Sequence, residues 1–146
     1  MQPTLVKHII FPLHEKMLGR GTYSYLKELD RLQWAPKSEV QDLQFEKLKA
    51  LLIHARDRVP FYRQRFAKVG FDPQQMNSVE DFKFLPLLSK QEIRQNLDSM
   101  LWKEAPGGLQ RYNTGGSSGE PLVFYFDRRR QAYDAAARAL THQWWG

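Results

Sequence analysis

Apolar residues recur at three- and four-residue steps along most of this chain, and the pattern changes once, between Leu109 and Phe126. The stepped spacing is that of a helix with one buried face. Residues Thr4 to Lys16 read as a short helix interrupted at Pro12, because proline removes a donor and disfavours helix in the residue before it. Tyr25, Leu26, Leu29 and Leu32 mark a second helix over Tyr23 to Leu32, ended by Ala35-Pro36-Lys37. Ser38 with Gln41 reads as a capping box opening the longest helix. Its face is Val40, Leu43, Phe45, Leu48, Leu51, Leu52 and Ala55.

Pro60 starts a helix to about Val69, stopped by Gly70. Asp72-Pro73 is a turn, Ser78 opens a helical turn with Val79 and Phe82, and Leu85-Pro86-Leu87-Leu88 runs extended. Ser89 with Glu92 is a second capping box, for a helix reaching Met100. After the break at Pro106-Gly107-Gly108 come two strand-like runs, Leu109 to Tyr112 and Leu122 to Phe126. Asp127 is placed to cap a last helix through Tyr133, Ala136, Ala137, Leu140 and Trp144. The expected fold class is α/β and mostly helical: a helical lead-in over 1–108, a hairpin over 109–127 and a following helix over 128–146.

Two strands do not make an independently stable sheet, and an α/β pattern that has delivered one helix returns with another strand. The chain therefore reads as the opening of a larger domain. Composition narrows the chemistry. Of 146 residues 42% are hydrophobic, ordinary for a globular protein, and with no cysteine there is neither a disulfide nor a thiolate metal site. The formal net charge of +6 suits an anionic partner such as a nucleotide, nucleic acid or coenzyme A. Arg128-Arg129-Arg130 is the one cationic run, which reads as a solvated helix start and not as a nucleic-acid site. No apolar run approaches the roughly 20 residues that span a bilayer, and Ile9-Ile10-Phe11-Pro12-Leu13 is too short for a signal peptide, so the expected location is cytoplasmic. His54 and His142 lack a second ligand at metal spacing, and Trp34, Trp102, Trp144 and Trp145 read as packing residues.

The chemistry gathers between the strands, in Thr114-Gly115-Gly116-Ser117-Ser118-Gly119-Glu120-Pro121. Glycines let a backbone come close to a ligand, consecutive amides can converge on an anion, and the hydroxyls of Thr114, Ser117 and Ser118 add donors. This composition reads as a phosphate-gripping loop or as an ordinary Gly/Ser turn. It is not a Walker A loop, because no lysine follows the glycines. G-x-S-x-G is present as Gly115 to Gly119, and Asp127, Asp134 and His142 follow it in hydrolase order. A nucleophile elbow, however, runs from strand to helix, and here a second strand follows.

Several segments in order resemble the phenylacetate–CoA ligase family of adenylate-forming enzymes, in its branch associated with capsule and exopolysaccharide gene clusters. Pro12-Leu13-His14-Glu15, Gly19-Arg20-Gly21 and Leu32-Gln33-Trp34 resemble that branch's N-terminus. Leu51 to Ala55 with Val59 to Arg63 is similar to its helix pair, Phe84 to Lys90 to the segment before its loop, and Thr114 to Pro121 to the superfamily's phosphate-binding signature. The resemblance implies ATP-dependent, AMP-forming activation of a small carboxylic acid, followed by transfer to coenzyme A. Thr114, Gly115, Gly116, Ser117, Ser118 and Gly119 would then hold the ATP phosphates with bridging Mg²⁺. Gly115 stands where much of the superfamily has serine, and Leu122 where many members have lysine. The resemblance further implies an incomplete N-terminal part of an adenylation domain, inactive alone, whose remaining site residues lie beyond Gly146. The alternatives are a non-catalytic remnant or interaction module, a serine hydrolase, and a nucleic-acid-binding helical protein.

Overall fold

The structure, a computed structural model, describes residues 5–17, 19, 21–115 and 121–145, without the side chains of 7, 8 and 16. Its contacts divide the chain into two compact units. One comprises Met1–Ala35, Pro106–Leu109 and Phe126–Gly146; the other comprises Pro36–Ala105 and Gln110–Tyr125.

In the first unit a π-helical turn, Val6–Ile10, runs into helix α1, Phe11–Met17, so Pro12 sits in the first turn of the α-helix and does not interrupt it. Helix α2, Thr22–Leu32, packs on the last helix of the chain, Arg128–Gln143. The contact face of that last helix is Ala132, Ala136 and Leu140, all buried and four residues apart. Two alanines on one stripe let the backbones approach, and Thr22 is fully enclosed. Tyr25 and Tyr133 meet edge to face at 5.4 Å between ring centres.

The arginine triplet is exposed at the start of a helix, as expected, and each member also makes a contact. Arg128 lies where a Cβ on Gly107 would come within 2.6 Å of its Cδ. A hydrogen bond with Tyr25 favours the charged form of Arg129. Arg130 sits over the Phe126 ring and pairs with Asp134 at 2.7 Å. The tryptophan expectation fails for three of four positions. Trp34 and Trp145 are 83% and 89% exposed, and the exposed Trp144 holds only its indole N–H, donated to Gln33 Oε1 at 2.8 Å.

The second unit is built on helix α3, Lys37–Arg58. Its cap is Pro36, whose extended ψ of 146° turns the chain in, so Ser38 lies inside the first turn and caps nothing. Leu52, Phe66 and Met76 form the buried centre, with Phe45, Leu48, Tyr62, Phe71 and Leu85 packed around them; Leu51 stays exposed. Helix α4, Pro60–Lys68, ends as the sequence indicates. Gly70 takes φ +66°, its amide donates to Ala67 O at 3.2 Å, and the Phe71 amide reaches Phe66 O at 3.0 Å. The same two phenylalanines meet edge to face, so one glycine both ends the helix and seals the core.

Below it the chain is stapled by side chains. Asp72 accepts from the Gln74 amide at 3.0 Å and pairs with Arg56 at 2.7 Å. Asp81 accepts from the amides of Asn77 and Ser78, which holds its carboxyl below the usual range. Arg65, itself nearly buried, donates to Pro86 O at 2.8 Å and Leu87 O at 2.9 Å and forks onto Glu92. Glu92 is thereby withdrawn from its expected reciprocal bond at the cap of helix α5, Lys90–Asn96; Ser89 Oγ still accepts from the Glu92 amide at 3.1 Å. The α-helix also stops at Asn96, and a 3₁₀ turn, Leu97–Met100, completes the expected span. His54 lies half-buried with its ring edge to face on Trp102 at 4.5 Å, as a packing residue would.

Strand β1, Gln110–Asn113, is exposed throughout, and strand β2, Val123–Phe126, is half-buried throughout. Together they form a two-stranded sheet. The mostly helical α/β expectation therefore holds, with one hairpin near the end of the chain. β2 leads through Asp127, which accepts from the Arg130 amide at 2.7 Å, into helix α6, Arg128–Gln143. No helix among the described residues is long and apolar enough to cross a membrane.

Two outcomes follow from the staples. R65A should lower unfolding stability by about 2 kcal/mol in denaturant titration, since it strands a carboxylate and two carbonyls, and R65K should recover only part because an ammonium cannot span the fork. D81A should lower the thermal midpoint at pH 7. Because the folded Asp81 carboxyl is depressed, its contribution is present above the ordinary carboxylate range and is lost as pH falls through the folded value. The gap between wild type and D81A should therefore close on acidification below roughly pH 4, and a gap that widens there would contradict the capping role.

Candidate functional site

The Gly/Ser/Thr loop is carried on the hairpin, and the two strands define its geometry. Tyr112 and Phe124 stack across them, ring planes 18° apart and centres 6.2 Å apart. That places Thr114 opposite Leu122 at the mouth of the loop. The Thr114 amide donates to Leu122 O at 3.0 Å. The Leu122 amide donates to Thr114 Oγ1 at 2.9 Å. In an ordinary hydrogen-bonded antiparallel pair both bonds run between main chains. Here a side-chain hydroxyl stands in for one carbonyl, so the neck is closed by the residue that opens the loop.

Of the expected phosphate-binding residues, Thr114 and Gly115 fall among the described residues, at the neck. Gly116, Ser117, Ser118 and Gly119 lie outside the described residues. Gly115 has open space around the position a Cβ would take, so its backbone is unobstructed on that side. The Thr114 hydroxyl oxygen accepts from the Leu122 amide, a bond that does not use its own O–H.

The hydrolase arrangement does not survive the fold. The element after the loop is a strand and not a helix. Asp127 is used as the cap of α6, and Asp134 is paired with Arg130. His142 lies exposed at the far end of the same helix. Among the described residues no group of three or more His, Cys, Asp or Glu side chains could hold a metal ion.

Sequence reasoning passed over one feature. In the first unit an open groove of about 970 Å³ runs beside α2 and α6, lined by Tyr23, Leu26, Lys27, Arg138, Ala139 and His142 among others. The exposed apolar residues Val6, Phe11 and Tyr23 on its walls are the signal that could have revealed it.

No family model matches the chain. Among curated proteins it is similar to the phenylacetate-coenzyme A ligase of Pseudomonas putida, 32% identical over 96 residues, covering 65% of this chain and 22% of that enzyme. Against the enzyme of the same name from Thermus thermophilus it is 31% identical over 100 residues, covering 68% and 22%. It also matches Protein CapK of Staphylococcus aureus, 24% identical over 138 residues, covering 93% of this chain and 29% of that protein. The chain thus spans about a fifth of the length of the ligases it matches. Over the residues aligned, the chain is a relative of the phenylacetate–coenzyme A ligases, which is the resemblance its motifs carry.

Proposed function

We propose that this chain supplies the phosphate-holding loop of an ATP-dependent, AMP-forming acid–thiol ligase. The reaction has two halves. A carboxylate oxygen attacks the α-phosphorus of ATP, the bond to the β-phosphate oxygen breaks, and an acyl-adenylate and pyrophosphate result. The sulfur of coenzyme A then attacks the acyl carbon, the thiol proton is lost, and AMP leaves with its phosphate oxygen.

The chain's own part is to bind and orient. Thr114, Gly115, Gly116, Ser117, Ser118 and Gly119 offer amides and hydroxyls to the β- and γ-phosphates, so that the pyrophosphate leaving group is held in line and its developing charge is met by fixed donors. No protein nucleophile is needed. Mg²⁺ brought in with the nucleotide would neutralise phosphate charge, and no described carboxylate is assigned to it. A net charge of +6 favours the approach of the polyanion.

The observation that carries this reading is a glycine-rich loop between two paired strands, in a chain whose curated relatives are named phenylacetate-coenzyme A ligase. The longer match to Protein CapK is compatible with the capsule and exopolysaccharide branch. Because the match covers about a fifth of the ligases, turnover and the choice of acid are assigned to a protein that also carries the remaining parts of such an enzyme. The 146 residues alone are a partial site that binds without turning over. A cytoplasmic location goes with the reading, since ATP and coenzyme A are its substrates.

Calorimetric titration and pyrophosphate exchange test this together. The chain should bind Mg-ATP and inorganic tripolyphosphate but not adenosine, and replacing Ser117, Ser118 and Gly119 together by alanine should weaken both by roughly 10- to 100-fold, from the loss of two hydroxyl donors and a permissive backbone. Acid-dependent ATP–pyrophosphate exchange should be absent. Failure to bind tripolyphosphate would overturn the loop's assignment, and exchange by the chain alone would overturn the partial-site reading.

A further inference from the structure

An ordinary surface helix turns its apolar side chains inward and its charges to water. The first helical segment of this chain does the reverse. Leu5, Ile9, Leu13 and Met17 recur every four residues, and all are between 45% and 80% exposed, with Ile10 exposed as well. The buried member of the segment, among its described residues, is a carboxylate: Glu15, whose Oε1 lies 3.7 Å from His14 Nδ1. A contiguous row of exposed apolar side chains marks a surface that meets something other than water.

The backbone keeps the four side chains in line. A four-residue step overshoots a full turn of α-helix, about 3.6 residues, and so drifts round its axis. The same step falls short of the wider π-helical turn. Here the π-helical turn Val6–Ile10 leads into α1, Phe11–Met17, so the two drifts oppose each other and leave one continuous apolar stripe.

Charge and shape narrow what covers that stripe. By sequence, residues 5–17 hold Lys7 and Lys16, with Glu15 as their single carboxylate. Because Glu15 is buried, the segment has no exposed carboxylate to set against its lysines. Two copies laid against each other would bring like charges together, which disfavours self-pairing. The stripe is a straight row of aliphatic and thioether side chains, with no aromatic anchor or hydrogen-bonding group among them. Such a row suits fluid hydrocarbon better than the shaped pockets of a protein interface.

We propose that residues 5–17 form a membrane-surface anchor, which lies in the plane of an anionic phospholipid bilayer. Leu5, Ile9, Leu13 and Met17 enter the acyl-chain boundary, and the positive charge of the segment is drawn to the headgroup phosphates. The helix is too short to cross the bilayer and rests on it. The anchor uses no residue of the Gly/Ser/Thr loop and stands whether or not that loop holds phosphate.

Co-sedimentation of the 146-residue chain with large unilamellar vesicles tests the anchor. The chain should bind vesicles of phosphatidylglycerol and phosphatidylcholine in equal parts roughly tenfold more tightly than vesicles of phosphatidylcholine alone, and added salt should narrow the difference. I9S/L13S should weaken binding to the anionic vesicles by at least about tenfold, with helical content and thermal midpoint unchanged, because both side chains face water in the free chain. M17S should weaken it about threefold, and keeps the test decisive should the double variant lose its fold. L51S removes a similarly exposed leucine from α3 and should leave binding unchanged. Absent or equal binding to the two kinds of vesicle overturns the anchor, as does binding that survives the stripe variants or falls as far in L51S. Dimerisation of the wild-type chain in analytical ultracentrifugation, abolished by I9S/L13S, also overturns it and assigns the stripe to a second copy.

Discussion

A glycine-rich loop can offer its amides to a ligand only if the strands beneath it absorb the cost of holding its ends together. In this protein that restraint is local. Thr114 and Leu122 exchange two hydrogen bonds at 3.0 and 2.9 Å, and the Tyr112–Phe124 stack keeps them opposite one another. Two strands are a weak sheet by themselves, and β2 is half-buried along its length. The neck of the loop is thus held by the paired bonds of Thr114 and Leu122.

The second unit shows how the remaining segments are held without a large core. Its buried centre is three residues, Leu52, Phe66 and Met76, and much of the rest is tied by side chains reaching main-chain oxygens. Arg65 spans Pro86, Leu87 and Glu92, and Lys49 donates to Met76 O at 2.8 Å. Such ties fix extended segments such as Leu85 to Leu88, which have no ladder of their own. They leave Phe84 and Leu87 facing out, at 79% and 96% exposure.

What was legible in the sequence was mostly short-range. Gly70 as a helix stop, Asp127 as a cap and the two strands around the glycines depend on neighbours a few residues away, and the structure places them as the spacing indicates. The misreadings came from partners distant in sequence or from competing backbone geometry. Ser38 has the right type for a cap, but Pro36 turns the chain two residues earlier. Glu92 has the right type to close its capping box, but Arg65, 27 residues away, claims its carboxylate. Trp34 and Trp145 are apolar enough for a core, yet both are exposed among the described residues. For the proposed site, residue types pointed to the loop, and the resemblance suggested its chemistry. That the Thr114 hydroxyl closes the neck could not be read from them, because it depends on strand register and not on composition.

The central claim is that the loop between β1 and β2 is a cradle for the phosphates of a nucleotide. Backbone amide resonances of the ¹⁵N-labelled chain, followed while Mg-ATP is added, test it most directly. The account predicts that the largest shifts fall on residues 115–119 and on Leu122. Shifts concentrated on Arg128, Arg129 and Arg130 or on the Tyr23–Arg138 groove, with the loop unmoved, would contradict it.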